Sequence, residues 1–325
     1  MIRRGFKAIG LFFIFATSIS SLYLFNLFFM KPASIDHYLG KEVLVDLVSS
    51  PEYMTYMGIF DSFNWVTNHN AELSIIGNDD IQNDIKSSQK SLKLLNKYED
   101  SSLSDSQKIT KRIAIFDIEN NLNQLENFPY HDYPLNQVRG AHHNVISFMS
   151  DQHPVRNYSE AKDFIKRTDL VKDVFTGQLD WLKKQAAVGV YAPEFVYDHI
   201  INQLNELINY SADEHPIYTE FFKKVELLNI SESKLSSLDN DLRASIETSV
   251  TPGFVLLRDF MVSTKAKANK NHGIWSQPNG DEFYKLRIRS YTTTNYSPEE
   301  IHNIGLSEVA RISARMKEIL TSLGY

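Results

Sequence analysis

Apolar residues recur at helical spacing along almost the whole chain, and this periodicity limits the fold more than any single motif does. Behind Ser104-Asp105, which can cap a helix start, Ile109, Ile113 and Phe116 are followed by Ile118, Leu122 and Leu125. A spacing of three and four residues gathers such side chains on one helical face. Further helices are predicted from Ser159, over Leu170 to Ala187, from Pro193 and from Ser231. The second of these carries Leu170, Val174, Leu179 and Leu182, and the third Phe195, Val196, Ile200, Leu204, Leu207 and Ile208. The last of the group has Leu235, Leu238, Leu242 and Ile246. Proline at a first helical position, as at Pro193, loses no intrahelical hydrogen bond. Thr251-Pro252-Gly253 predicts a turn or kink between two helical runs.

The most fully specified element is the final one. Ser297-Pro298-Glu299-Glu300 places Ser at N-cap, Pro at N1 and Glu at N3, the capping-box arrangement. Ile301, Ile304, Val309, Ile312, Met316 and Ile319 then supply an apolar face. Alternating strands are scarce, and Asn279-Gly280 lacks β-branched flanks, so it reads as a loop or a helix approach. Residues 68–96, rich in Asn, Asp and Ser, read as a surface loop leading into an exposed helix. The expected class is mainly α, with helices packed around one extended core over residues 34–325.

Residues 1–33 read differently. Arg3, Arg4 and Lys7 precede Ala8 to Met30, 23 residues without a charge. At 1.5 Å per residue such a helix reaches about the ~30 Å of a bilayer core. The distribution of basic residues puts the N-terminus inside and the body on the periplasmic or extracytoplasmic side. An uncleaved signal-anchor through residues 8–30 is the favoured reading; secretion after cleavage near Ser18, Ser20 and Ser21 is the alternative, and a buried N-terminal core helix is a third.

The chemistry is bounded mostly by exclusion. No cysteine is present, which removes disulfides, thiolate metal sites, a cysteine nucleophile and a lipobox-type anchor from these 325 residues. A net charge of −6, with no Lys/Arg-rich tract, argues against a nucleic-acid partner. Dinucleotide, P-loop and nucleophile-elbow patterns are missing, and no histidine is followed by Glu, so no HExxH zinc motif exists here. Glu299-x-x-His302 resembles half of a di-iron carboxylate site, but no second copy accompanies it. Glu299 and Glu300 are better explained by the helix N-terminus. His142-His143 has no ligand three or four residues on, and His131, His153 and His215 stand at predicted turns. The pair reads as surface or satisfied interior groups, and the other three as residues placed by the backbone of those turns. Tyr291, Thr292, Thr293 and Thr294, with His302, are the candidate cleft-lining residues; the threonines can join two helices or face a ligand.

A series of short landmarks then carries a resemblance. Tyr133-Pro134-Leu135-Asn136-Gln137, Gln152-His153-Pro154-Val155 and Ala187-Val188-Gly189-Val190 with Pro193-x-Phe195-Val196 come first. Pro216-x-Tyr218 and Gly273-x-Trp275-x-x-Pro278-Asn279-Gly280 follow. The series closes with Tyr291-Thr292-Thr293-Thr294 and Ser297-Pro298-Glu299-Glu300-Ile301-His302-x-x-Gly305-Leu306-x-Glu308-Val309. In this order they resemble the bacterial domain-of-unknown-function 885 family from about Asp36 to Tyr325, the last block being the most specific. The resemblance implies a helical, exported zincin-type zinc metallopeptidase. It also implies that the HExxPGH motif lies beyond the point where this chain stops. The chain therefore reads as the N-terminal half, with no zinc ligand or general base of its own; zinc is expected only in a full-length relative. The expected partners are the membrane, a separately supplied C-terminal half and, once completed, a peptide substrate. A non-catalytic helical binding module or truncated remnant is the alternative.

Overall fold

A computed structural model describes residues 15, 17, 18, 20–77 and 79–325. Its main helices are α1 (Ile35–Ser49), α2 (Pro51–Met57), α3 (Asp80–Leu95), α4 (Asp105–Asn127), α5 (Ala141–Ser147), α6 (Tyr158–Asp169) and α7 (Val171–Ala187). They continue as α8 (Glu194–Asn209), α9 (Pro216–Val225), α10 (Glu232–Ser245), α11 (Thr251–Thr264), α12 (Gly280–Thr292) and α13 (Pro298–Ser322). Among the described residues there is no strand, only an isolated parallel bridge between Pro193 and Asn269. The mainly α class follows from this.

Much of the expected anchor, residues 8–14, 16 and 19, lies outside the described residues. Residues 20–29 are helical. No helix among the described residues is long and apolar enough to cross a membrane.

The main core forms where α11 packs on α7 and α8 and where α10 packs on α6. Phe164, Phe175, Phe221 and Phe254 are fully buried in it. Phe164 meets Phe221 at 4.7 Å between ring centres, and Phe175 meets Phe254 at 5.2 Å. Such ring pairs add to the burial of their large apolar area. Two smaller clusters stand apart, so the expectation of a single extended core is corrected. One joins Ile35 and Tyr38 of α1 to Leu95 and Tyr98; the other joins Phe128 to Phe283 and Leu286.

Three local expectations are also corrected. Of the turn or kink expected at Thr251-Pro252-Gly253 the turn is corrected: helical backbone continues through these residues, and a π-turn over Ile246–Val250 joins the two helical runs. There the Thr251 N–H reaches back five residues to Ile246 O. The wider turn makes room for a proline ring that would otherwise strike a carbonyl four residues earlier. On α4, Ile109 and Ile113 are exposed, whereas Ala114, Ile115 and Ile118 turn toward the α1–α3 cluster. In the segment read as a surface loop, His69, Asn70 and Ala71 are buried.

That burial has one principal cause. Arg167 of α6 is itself fully buried. It donates to Glu72 O at 2.8 Å, to Thr55 Oγ1 at 2.9 Å, to His153 Nδ1 at 2.9 Å and to His69 O. Its planar fork of donors suits several separated acceptors at once. Residues 51–74 are thereby fastened to the helical core.

Candidate functional site

A concavity of about 640 Å³ lies between α4 and α12 and is closed at one end by residues 294–298. Its floor is Phe128 and Leu286, held by the small cluster that includes Phe283. Glu282, Lys285, Leu286 and Arg289 line one wall because their spacing places them on one face of α12. Asn123 and Asn127 line the other, and Asn279, Thr294, Asn295 and Tyr296 complete the rim.

Hydrogen bonds hold α12 in place. His131 Nε2 lies 2.8 Å from Pro278 O, and Gln277 Nε2 donates to the Tyr133 hydroxyl at 2.5 Å and to His131 O at 3.3 Å. At the far end Arg289 Nη1 donates to Asn120 Oδ1 at 2.6 Å, and its guanidinium lies 4.8 Å from the Phe116 ring centre. Asn279 caps the start of α12 from the left-handed region, φ 53°, and Thr293 leaves its end in the same region, φ 55°. A β-branched residue is rarely found there, so a sharp exit from the helix is built in at Thr293.

A close approach at Gly280 packs the start of α12 against the 274–276 turn. A Cβ there would lie 2.1 Å from Ile274 O and 2.8 Å from Trp275 Cα, both backbone atoms. Gly280→Ala is therefore expected to push the 274–276 turn away from α12 and cost about 2–3 kcal/mol. A urea unfolding midpoint unchanged from the parent would show that the turn does not pack there.

Charge in the groove is balanced and largely engaged. Lys285 pairs with Glu282 at 2.6 Å, and that carboxylate raises the lysine's pKa. The Ser297 N–H donates to Glu300 at 2.7 Å, and this bond lowers the Glu300 pKa. Chemically the groove offers amides that both donate and accept, an apolar floor and one anchored guanidinium.

The candidate cleft residues are only partly gathered here. Thr294 lines the groove. Thr292 turns its hydroxyl back to Ile288 O and lies 2.8 Å from the Thr294 hydroxyl, which it helps to orient. Tyr291 is exposed and accepts from Arg287 at 2.9 Å. Thr293 and His302 are exposed outside the lining. Arg289, Lys285, Asn123 and Asn127 were not anticipated, although the spacing of 282, 285, 286 and 289 is legible as one helical face. Among the described residues no three histidine, aspartate or glutamate side chains converge as a metal site, so the residues present do not fit zinc.

Histidines 131, 142, 153 and 215 are all buried. His215 Nδ1 accepts from Ile217 N–H at 3.2 Å and so caps α9. His142 Nε2 faces Gln203 Oε1 at 3.1 Å. Burial lowers both imidazoles to about 4, with Gln203 opposing the shift at His142. His153 is lowered well below the ordinary value, first by burial and then by the Arg167 charge.

Beyond its first turn α13 is exposed throughout and buries no residue. Ile304, Val309, Ile312, Met316 and Ile319 all lie in solvent.

The fold is similar to the crystal structure of "the putative lipoprotein from Colwellia psychrerythraea", with a TM-score of 0.67 and 21% sequence identity. The likeness covers 86% of this chain and 51% of that one, so the chain spans about half the length of that protein. No curated protein matches the chain. The family described as "Bacterial protein of unknown function (DUF885)" matches residues 51–325, and the chain belongs to that family.

Proposed function

We propose that this chain is the exported, membrane-tethered N-terminal portion of a zinc metallopeptidase. It contributes part of a peptide-binding cleft and leaves the zinc motif to a C-terminal half, so it is inactive alone. The observation that carries this reading is α13, 25 residues long with no buried side chain and an apolar stripe from Ile304 to Ile319. A stripe of that kind in water calls for a covering surface. The half-length match to the solved relative supports a covering surface of comparable size. The groove beside the start of α13, with Thr294 and Arg289 in its lining, is the proposed substrate wall. The uncharged run of residues 8–30 supports the tether, with the body on the extracytoplasmic side.

The test supplies the other half. The chain is mixed with the C-terminal half of a full-length family member that carries HExxPGH, and complex formation and peptide hydrolysis are measured. Binding and chelator-sensitive hydrolysis are expected only in the mixture. Ile312→Glu with Met316→Glu is expected to weaken the complex at least about 100-fold, the consequence of placing two charges in an apolar contact. The same pair is expected to change the stability of the isolated chain by less than about 0.5 kcal/mol, since both sites are exposed. Stoichiometric zinc and hydrolysis by the chain alone would overturn the proposal. A chain that binds other helical partners but never completes an active peptidase would support a non-catalytic binding module.

A further inference from the structure

A second exposed apolar surface differs from α13 in chemistry and position. α2 turns Tyr53, Tyr56 and Met57 outward, at the three-and-four spacing of one helical face, while Met54 and Thr55 point inward. Gly58, at φ 64°, ends the helix, and Ile59, Phe63, Trp65 and Val66 follow, all exposed. Trp65 is 83% exposed, the extreme of the group. Only one charged residue falls within positions 53–66, Asp61, and it is paired with Arg156 at 2.6 Å.

We propose that residues 53–66 form a platform that rests on the lipid bilayer interface beside the anchor. The proposal rests on the reading of residues 8–30 as a membrane anchor. From Met30 to Pro51 the path is short. The 15 residues of α1 rise about 22 Å, and the few flanking residues add at most about 18 Å. Along this path α1 exposes Val43, Leu44, Val45 and Val48. A surface on so short a tether meets the bilayer at high effective concentration.

The composition also selects lipid over protein. The large exposed hydrophobic residues of α13 are Ile, Leu, Val and Met side chains without an aromatic ring, fit to pack on another helix. The platform instead combines Trp65, Tyr53, Tyr56 and Phe63. Tryptophan and tyrosine concentrate at the headgroup level, where one end of the ring is apolar and the other is wet. Its charge balance places no free carboxylate against anionic headgroups. Its inner side is held by the Arg167 bonds and by Asn64, whose amide donates to Asp163 at 3.0 Å, so the aromatic groups are presented from a fixed support.

The full chain, with Trp181→Phe and Trp275→Phe leaving Trp65 as the sole tryptophan, is reconstituted into phosphatidylcholine–phosphatidylglycerol vesicles. A fraction of the phosphatidylcholine is brominated on its upper acyl carbons. Blue-shifted Trp65 emission and its loss to the brominated lipid are expected, whereas Trp275 in its own single-tryptophan background stays unquenched. Alkaline extraction reports separately on the anchor. A chain that resists extraction but shows unquenched Trp65 would overturn the platform and leave the anchor standing. A chain that is extracted yet quenched at neutral pH would support the platform and sink the anchor; an extracted, unquenched chain overturns both. Shielding of Trp65 that follows protein concentration and not lipid would assign the surface to a second copy and overturn the proposal.

Discussion

Lowering the pH from 7 to 5 is expected to destabilise the fold by several kcal/mol, well before most carboxylates titrate. His142, His153 and His215 are buried and held neutral in the folded chain, the first two with their imidazoles engaged by Gln203 and Arg167. In the unfolded chain each takes a proton near pH 6.5. The folded values are about 4 for His142 and His215 and well below 6.5 for His153. The unfolded state therefore binds more protons between these limits. Stability is complete above about pH 6.5 and falls as pH drops through the window, and His142 and His215 stop adding to the fall once they also titrate near 4 in the folded chain.

His142 and His215 each contribute a slope of up to about 1.4 kcal/mol per pH unit, or about 2 kcal/mol by pH 5, and His153 adds to the loss in the same direction. The first two alone reach about 4 kcal/mol, a large part of the whole stability of an ordinary domain. Urea unfolding at pH 7, 6 and 5 measures the loss. His215→Asn keeps an N-cap acceptor for Ile217 N–H and removes one titrating group, so its stability should fall less steeply with pH than that of the parent. A parent protein equally stable at pH 7 and pH 5 would contradict the assignment.

The helical class was legible because its determinants are local. Ser297, Pro298 and Glu300 specify a helix start within four residues, and the structure forms both capping-box hydrogen bonds. Ser104 does the same with Gln107. The exit at Thr292–Thr294 was also readable as a junction between helices. Periodicity was less informative about which stripe faces inward. On α4 two stripes were available, and contact with α1 and α3 chose Ala114, Ile115 and Ile118 over Ile109 and Ile113. Pro252 marked the junction of two helical runs but not its form, because the π-turn just upstream that accommodates the ring is invisible in local composition.

The groove was legible only at its edge. Thr294 was anticipated from a polar tract, but Asn123 and Asn127 come from a helix about 170 residues away, and no local pattern links them to α12. Arg167 was missed for a similar reason. Arginine is normally a surface residue, and the acceptors that allow it inside belong to residues 55, 69, 72 and 153, all distant from it in sequence or on other elements.

Replacing Arg167 should consequently have the largest effect of any single substitution considered. Arg167→Met keeps an apolar stem of similar length and removes the fork. It leaves Thr55 Oγ1, His69 O, Glu72 O and His153 Nδ1 without this donor. An unsatisfied buried acceptor costs about 1–3 kcal/mol. Relief from burying a guanidinium, whose pKa burial lowers to about 10, offsets part of the sum. A net loss of about 3–5 kcal/mol is expected in the urea midpoint. Arg167→Lys should recover only part of it, because one ammonium cannot reach acceptors spread across the guanidinium plane.

The loss should also be local before it is global. Hydrogen exchange of residues 69–74 should accelerate first in Arg167→Met, while amides of α7, α8 and α11 keep their protection to the global limit. The variant also removes the cation that stands beside His153, so this imidazole should titrate at a higher pH in the folded state. The His153 share of the acid destabilisation should then shrink, and the stability of Arg167→Met should depend less steeply on pH below 6.5 than that of the parent. A variant within about 1 kcal/mol of the parent, with residues 69–74 still protected, would mean that Arg167 does not fasten this segment.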